Sequence, residues 1–419
     1  MKNKRIIFVV GLIILTGLYL ILRLYKFEEK TTYHLDQGLH LLESYQMIEN
    51  KKLRLIGPMI TSKTFLDRGF FIGPHYYYVL AILGILTKWD PISIDIILLL
   101  VELGFILYFA NWIRKKYGII EAAMAFGILT FSKFFIIHSR FFWAPHFLLP
   151  LGILAIVFLE KYILRNKIKY LAWFGILWGV AFSFHYSAVF WAIPLLVVLI
   201  KNKKLWRWQT LTLPLFFILG DLPWFIFEIR HNFYNIKTVL WVMSQSSNSG
   251  VMEPHYFVYP LGIFVLWGLV WLIKKIKIKK IKIMIALVIG IGISLIQLKF
   301  INVSMPFGHP VGWNYPLQKE VIKKILINGC PKNFNIASTA SGDTRSYDLR
   351  FLLTAKKCKP MGIEEYPMAE KLFLVAPTNR PVEKETVWEV LSLGKFKINR
   401  QENLTPEIIF YEIEKELRM

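Results

Sequence analysis

Five stretches of this 419-residue chain combine ionisable side chains with dense aromatic surroundings. In TTYHLDQGLHLLESYQ, Leu35, Leu39 and Leu42 recur at i, i+4 and i+7, and Asp36, His40 and Glu43 occupy the neighbouring helical face. A carboxylate there can act as general base toward a hydroxyl. The same position suits a carboxylate that only complements the helix dipole. FLDRGFFIGPHYYYVLAILG supplies Arg68 and His75, HSRFFWAPHF supplies Arg140 and His146, FSFHYSAVFW supplies His185 and Tyr186, and GDLPWFIFEIRHNFYN supplies Arg230 and His231. Arginine and histidine donate to phosphate oxygens, arginine through a two-pronged fork.

Each group also has a plainer reading. His75 and His185 interrupt apolar runs and can serve the free backbone groups of a broken helix. Glu228 can pair with Arg230. The aromatic triplet Tyr76-Tyr77-Tyr78 can line an apolar groove or anchor at a membrane interface. No HxxxH or HExxH spacing occurs, so no cofactor is assigned, and the histidines leave a divalent metal as a weakly signalled option.

Composition says what holds these groups. Apolar residues make up 55% and charged residues 19%, with 33 Phe, 14 Trp and 19 Tyr and a mean hydropathy of +0.46. This excludes a disordered chain and a lone soluble core. The net charge of +23 would suit a nucleic-acid partner, but its distribution argues otherwise. Residues 302–419 carry 17 basic and 14 acidic residues, and residues 1–301 carry 34 and 14. The excess is interleaved with hydrophobic segments and belongs to membrane loops, so nucleic acid is set aside.

A bilayer core of about 30 Å needs about 20 apolar residues per helix. The candidates are 6–23, 92–112, 119–137, 146–163, 209–227, 256–273 and 283–300. The stretch 170–200 reads as two short helices broken at His185-Tyr186-Ser187, and 74–87 as a re-entrant or interfacial segment. With the N-terminus inside, 20 of the 34 basic residues fall in five short inner loops, ending with the lysine ladder Lys274–Lys282. The expectation is an α-helical polytopic membrane protein of about nine spans with a short juxtamembrane segment and an extracytoplasmic C-terminus. The basic MKNKR and the first apolar run read as an uncleaved first helix.

Residues 1–301 form the expected membrane domain, with 24–91 a large external loop, and 302–419 a small extracytoplasmic α/β domain. Strands are expected at Phe334–Thr339, Lys371–Ala376 and Ile408–Ile413, and helices at Leu317–Leu326 and Val387–Leu393. Cys330 and Cys358 are the only cysteines, and an external location permits their disulfide. All nine histidines fall on the external side in this layout, and His138, His146, His185 and His231 come from hairpins that converge at the outer face.

The order of these features carries a resemblance. An N-terminal span, an external amphipathic helix with an early Asp, a Gly-Pro-aromatic entry to the next apolar stretch and an external Arg-Phe-aromatic-Pro turn follow one another over residues 1–300. The chain resembles the GT-C superfamily of integral-membrane glycosyltransferases, and within it glycosyltransferase family 39, the protein mannosyltransferase-like group. The resemblance implies a polyprenyl-phosphate sugar donor used on the external face, with Asp36 as general base. The family commonly has Asp-Glu where this chain has Asp36-Gln37, which weakens any role that needs two adjacent carboxylates. Relatives often carry Asp or Asn after the arginine turn, where this chain has Ala144-Pro145-His146, which counts against a metal role there.

The leading expectation is a hexosyltransferase of a prokaryotic plasma membrane. It moves a sugar from a lipid phosphate to a protein, lipid or glycan acceptor with inversion, and membrane lipids are its other partners. Arg140, Arg230, His231, His185, Tyr186, His75, Arg68 and His146 are its candidate phosphate- and substrate-binding residues. Two alternatives remain. A transporter or flippase would favour internal repeats, which the sequence lacks. A lipid-linked glycan ligase or polymerase would favour a large loop between late spans.

Overall fold

The computed structural model describes residues 2–60, 69–202, 205, 208–245, 255–300 and 305–416. In chain order the elements are α1 (Lys2–Leu24), α2 (Phe27–Lys30), α3 (Leu35–Glu49), the short antiparallel pair β1 (Met59–Ile60) and β2 (Phe70–Phe71), α4 (His75–Leu86), α5 (Pro91–Lys116), α6 (Ile119–Phe131) and α7 (Lys133–His138). Next come α8 (Leu148–Arg165), α9 (Ile168–Phe184), α10 (Ala192–Lys201), α11 (Leu213–Gly220), α12 (Leu222–Arg230), α13 (Tyr234–Gln245), α14 (His255–Lys274) and α15 (Lys279–Phe300). The tail adds α16 (Tyr315–Ile325), β3 (Phe334–Ser338), α17 (Tyr347–Ala355), β4 (Lys371–Pro377), α18 (Trp388–Leu391), β5 (Phe396–Asn403) and β6 (Ile408–Lys415).

These elements form two compact units. The first takes Met1–Leu22, Met47–Ile82 and Ile96–Ile301, and the second takes Arg23–Gln46, Leu83–Asp95 and Asn302–Met419. The division is not the expected single cut at residue 301, because α3 and the α4–α5 turn join the tail in one unit.

In the first unit, α5, Ala144–Arg165 and Tyr256–Lys274 are long and apolar enough to cross a membrane. Thr210–Gly220 and Leu222–Arg230 pass together as a pair bent by 84° at Asp221. Phe8–Leu24, His75–Leu86, Ile119–Phe131, Ile168–Phe184 and Tyr186–Lys201 are shorter apolar helices. The segment expected over 119–137 is split at Ser132, whose extended backbone (ψ 118°) ends α6. The segment over 170–200 breaks where it was expected to, at an extended His185. With 12 residues, α4 extends about 18 Å, less than a bilayer core. Apolar side chains such as Ile13, Ile14, Val265, Leu287 and Val288 face outward, as lipid contact requires. Helices α9 and α11 touch through glycines: a Cβ on Gly179 would meet the Phe217 carbonyl oxygen at 2.1 Å, and one on Gly220 the Ile176 oxygen at 2.2 Å. Small residues at such a crossing let backbones pack in a lipid setting.

Three of the basic loops are tied together. Lys116 pairs with Glu160 at 2.5 Å, Lys282 with buried Glu121 at 2.9 Å, and Lys274 Nζ donates to the Tyr117 carbonyl oxygen at 2.7 Å. The ends of α5, α8 and α14 thus share one polar cluster, and the start of α15 is tied to the start of α6.

The second unit holds a four-stranded sheet of order β3-β4-β6-β5, with β3 and β4 parallel and the other pairs antiparallel. The central strands are buried, whereas β5 alternates half-buried and exposed residues and carries a register irregularity between Ile398 and Arg400. Leu372, Leu374, Tyr411 and Ile413 form the core of one face. Buried Arg350 of α17 ties the helix to the sheet side, donating to Asn335 Oδ1 (2.7 Å), Tyr366 OH (3.0 Å) and the Met361 carbonyl (2.6 Å). Cys330 and Cys358 are disulfide-bonded. Helix α3 belongs here because Gly38 lets it approach α17, where a Cβ would lie 2.4 Å from the Asp348 nitrogen. Gln318 Nε2 then bridges the Tyr33 carbonyl and the Asp348 carboxylate, both at 2.8 Å.

Candidate active site

Within the first unit, the starts and breaks of three apolar helices bring polar groups together. His75 opens α4, Ser183 lies at the end of α9, and Asp221 sits at the bend between α11 and α12. His75 Nδ1 is 2.5 Å from Ser183 Oγ and 3.6 Å from Asp221 Oδ1. The Asp221 side chain is fully buried, and that of His75 is 27% exposed. Gly73 makes room for the group, since a Cβ there would sit 1.9 Å from Ser183 Oγ and 2.4 Å from Asp221 Oδ1. With Nδ1 engaged by Ser183 Oγ, Nε2 is the ring nitrogen left to face a ligand, and as an N–H it is a donor. A phosphate oxygen is the kind of acceptor such a donor fits. Neither Asp221 nor Ser183 was among the residues expected from sequence. The signal for Asp221 was an acid inside an apolar run, flanked by Gly220 and Pro223.

The approach to His75 is held by a second network. Tyr186 OH (2.5 Å) and Trp224 Nε1 (2.8 Å) both donate to the Phe71 carbonyl oxygen, and Trp224 also reaches Tyr186 OH at 3.1 Å. The Phe71 N–H donates to Asn235 Oδ1 at 2.7 Å. Asn235 is held by Glu228, whose carboxylate accepts Asn235 N (3.1 Å), Asn235 Nδ2 (2.7 Å) and Ile236 N (3.1 Å). The Glu228–Arg230 pairing considered from sequence is therefore not what the described residues form. Glu228 is buried and occupied, and Arg230 is exposed.

The expected histidines divide. His185 Nδ1 accepts from the backbone N–H of Ser187 at 3.2 Å and shares a bond with Ser187 Oγ at 2.7 Å, which satisfies the helix break. Its ring packs on Tyr256, and one turn along α14 Tyr259 packs on His146 and His138. His138 and His146 face each other at 5.6 Å between ring centroids, with Phe141 and Trp143 alongside. Exposed His231 shares its Nδ1 with the Phe227 carbonyl on its own helix and stacks on the Phe227 ring. Arg140 is buried in the turn after α7 and donates Nη2 to the Leu22 carbonyl at 2.8 Å. Tyr76 and Tyr77 are core residues, and Tyr78 OH donates to the Arg54 carbonyl. Arg68 lies outside the described residues. Among the described residues no three His, Cys, Asp or Glu side chains are grouped to hold a metal.

Asp36 belongs to the second unit, half-buried in the first turn of α3. The backbone N–H of His34, at the helix start, is accepted by Gln37 Oε1 at 3.2 Å, the reaching-back half of a capping box. Gln37 thus serves the helix start, and the Asp36 carboxylate accepts no hydrogen bond among the described residues. Burial pushes the imidazoles of His34 and His40 below their usual value, and the Asp36 charge draws both back up.

The architecture has a solved counterpart. The crystal structure of ArnT from Cupriavidus metallidurans bound to undecaprenyl phosphate aligns over 96% of this chain and 97% of that one, with a TM-score of 0.56 at 11% identity. Residues 72–227 match the family model described as dolichyl-phosphate-mannose-protein mannosyltransferase, an interval that includes His75, Arg140, Ser183 and Asp221 but not Asp36. No curated protein matches the chain. The chain therefore shares the fold of that ArnT structure, and residues 72–227 are similar to the mannosyltransferase family model.

Proposed function

We propose that this protein transfers a sugar from a polyprenyl-phosphate donor to an acceptor hydroxyl on the external face of the membrane, with inversion. The observation that carries this reading is His75, whose Nδ1 lies 2.5 Å from Ser183 Oγ and 3.6 Å from buried Asp221, inside the interval that matches the mannosyltransferase model. The undecaprenyl phosphate bound by the ArnT structure supports a lipid phosphate as the leaving group.

In this reading Asp36 takes the proton of the acceptor hydroxyl as its oxygen attacks C1 of the sugar. The bond from C1 to the phosphate oxygen breaks on the opposite face, and its electron pair leaves with the lipid phosphate. Charge grows on that phosphate in the transition state, where preorganised donors act most strongly. His75 Nε2–H is the first such donor. Arg140, Arg230, His231, His185, Tyr186, Arg68 and His146 remain candidates for holding the donor and acceptor.

The test is transfer from labelled polyprenyl-phosphate sugar in proteoliposomes, comparing the native chain with Asp36→Asn and His75→Gln. Both variants are expected to lose most turnover. Equal transfer by Asp36→Asn would remove the base, and no transfer by the native chain from any polyprenyl-phosphate sugar would remove the donor class.

A further inference from the structure

The second unit contains a pocket of about 270 Å³ that the transfer reaction does not use. Helix α16 contributes Tyr315, Lys319, Ile322 and Lys323, at i, i+4, i+7 and i+8 and so on one face. The end of α17 adds Leu352, Ala355 and Lys356, and the turn before α5 adds Lys88, Trp89 and Asp90. Ile322 and Leu352 are buried and make an apolar floor, and two aromatic rings form the walls.

The charges do not cancel. The one acid of the lining, Asp90, is engaged in capping α5: its Oδ2 accepts Ser93 N at 2.9 Å and Ser93 Oγ at 2.6 Å. Lys319 pairs with Glu28 at 2.5 Å. Lys88, Lys323 and Lys356 are exposed and form no ion pair among the described residues. Three ammonium groups around one apolar-floored pocket repel one another until an anion joins them.

The turn that presents Lys88 is also held against its own preference. Lys88 (φ 54°) and Trp89 (φ 65°) are consecutive left-handed residues, neither of them glycine. Such conformations persist where surrounding structure fixes them, and they concentrate at ligand-holding sites. Here the fixing is visible. The Trp89 ring lies 5.0 Å from Tyr45 and 6.3 Å from Phe351, and Gly84 leaves space for it, since a Cβ there would sit 2.3 Å from the indole.

We propose that this pocket binds an organic phosphate, the anion held by Lys88, Lys323 and Lys356 and its carrier lying against Trp89 and Tyr315. A glycerophospholipid headgroup and a soluble phosphate ester present the same chemistry. The turn immediately precedes α5, a membrane-span candidate, where an indole and lysines suit a headgroup.

The test uses the full chain in phosphatidylcholine nanodiscs with and without phosphatidylglycerol, scoring retained lipid by native mass spectrometry. A second arm titrates glycerol 1-phosphate and inorganic phosphate into the phosphatidylcholine discs. Lys88→Gln/Lys323→Gln/Lys356→Gln, all at exposed positions, should weaken binding by about tenfold or more. Retention of phosphatidylglycerol alone would identify the lipid, and saturable binding of the small phosphates alone would identify a soluble ester. Binding unchanged in the triple variant, or absent from the native chain in both arms, would overturn the proposal. None of these readouts needs sugar transfer, so failure here and failure of the transferase reading are separable.

Discussion

His75 and Asp221 meet at 3.6 Å, with Ser183 Oγ a further 2.5 Å contact of the same imidazole nitrogen. A buried carboxylate at a helix bend is costly unless a partner compensates for it. Its placement behind Nδ1 leaves Nε2 as the outward donor. Asp221→Asn keeps the shape but removes the compensating charge. The expected result is a fall in kcat of roughly 10²-fold, the scale of losing one preorganised donor, with KM little changed. His75→Gln should fall similarly, and the double variant should be little worse than either single one. Additive losses in steady-state kinetics would show that the two residues do not act as a unit.

Gly73 offers a steric test of the same group. The methyl of Gly73→Ala has no space beside Ser183 Oγ and Asp221 Oδ1, so the buried aspartate must shift. Overpacking of this kind costs about 1–3 kcal/mol. Thermal unfolding of the purified chain should register that loss together with reduced transfer. Adding Ser183→Gly removes the nearer obstacle but not Asp221, so only part of the stability should return. A Gly73→Ala chain of native stability and activity would contradict the close approach.

The Glu228 network separates two residues that sequence places side by side. Glu228→Ala strands the N–H groups of Asn235 and Ile236 and loosens the hold on Phe71. Loss of hydrogen bonds to a buried charge supports a cost of about 3 kcal/mol. Arg230→Gln, at an exposed position, should stay within about 0.5 kcal/mol of native. Chemical denaturation of both variants checks the contrast, and equal costs would restore the Glu228–Arg230 pairing.

Much of this architecture was legible because it rests on local signals. The break at His185, the short α4 and strands β3, β4 and β6 follow from run length and apolar pattern. Strand β5 was missed because FKINRQEN is polar on one face and finds its place only by pairing with β6. Helix α17 was missed because its start at Ser346 is left-handed and carries no side-chain cap. The partners of His75 were illegible for a different reason. Ser183 and Asp221 are 108 and 146 residues away, and no periodicity within one helix reports which breaks will meet. The same holds for α3, whose membership of the second unit depends on Gly38 against Asp348.

Two buried carboxyls and a buried imidazole in the second unit give a pH test. Burial, with Asp348 adding to it, raises Asp343 from 3.8 to about 6, and burial raises Asp348 to about 6. Burial, with the neighbouring His34 adding to it, lowers His309 from 6.5 to about 3. The His34 and His309 rings stand 5.4 Å apart. An acid whose folded value is raised favours the folded state while protonated, so its contribution is full below about pH 3.8 and is lost as pH rises to about 6. A histidine whose folded value is depressed contributes above 6.5, and that contribution is lost as pH falls toward 3. Unfolding midpoints of the full chain between pH 4 and pH 6 should therefore change in opposite senses relative to two variants. Measured against Asp343→Asn, the native chain should lose stability as pH rises. Measured against His309→Asn, it should gain. Parallel curves for the native chain and Asp343→Asn would mean that this carboxyl keeps its ordinary value on folding. A native curve parallel to that of His309→Asn would say the same of the imidazole.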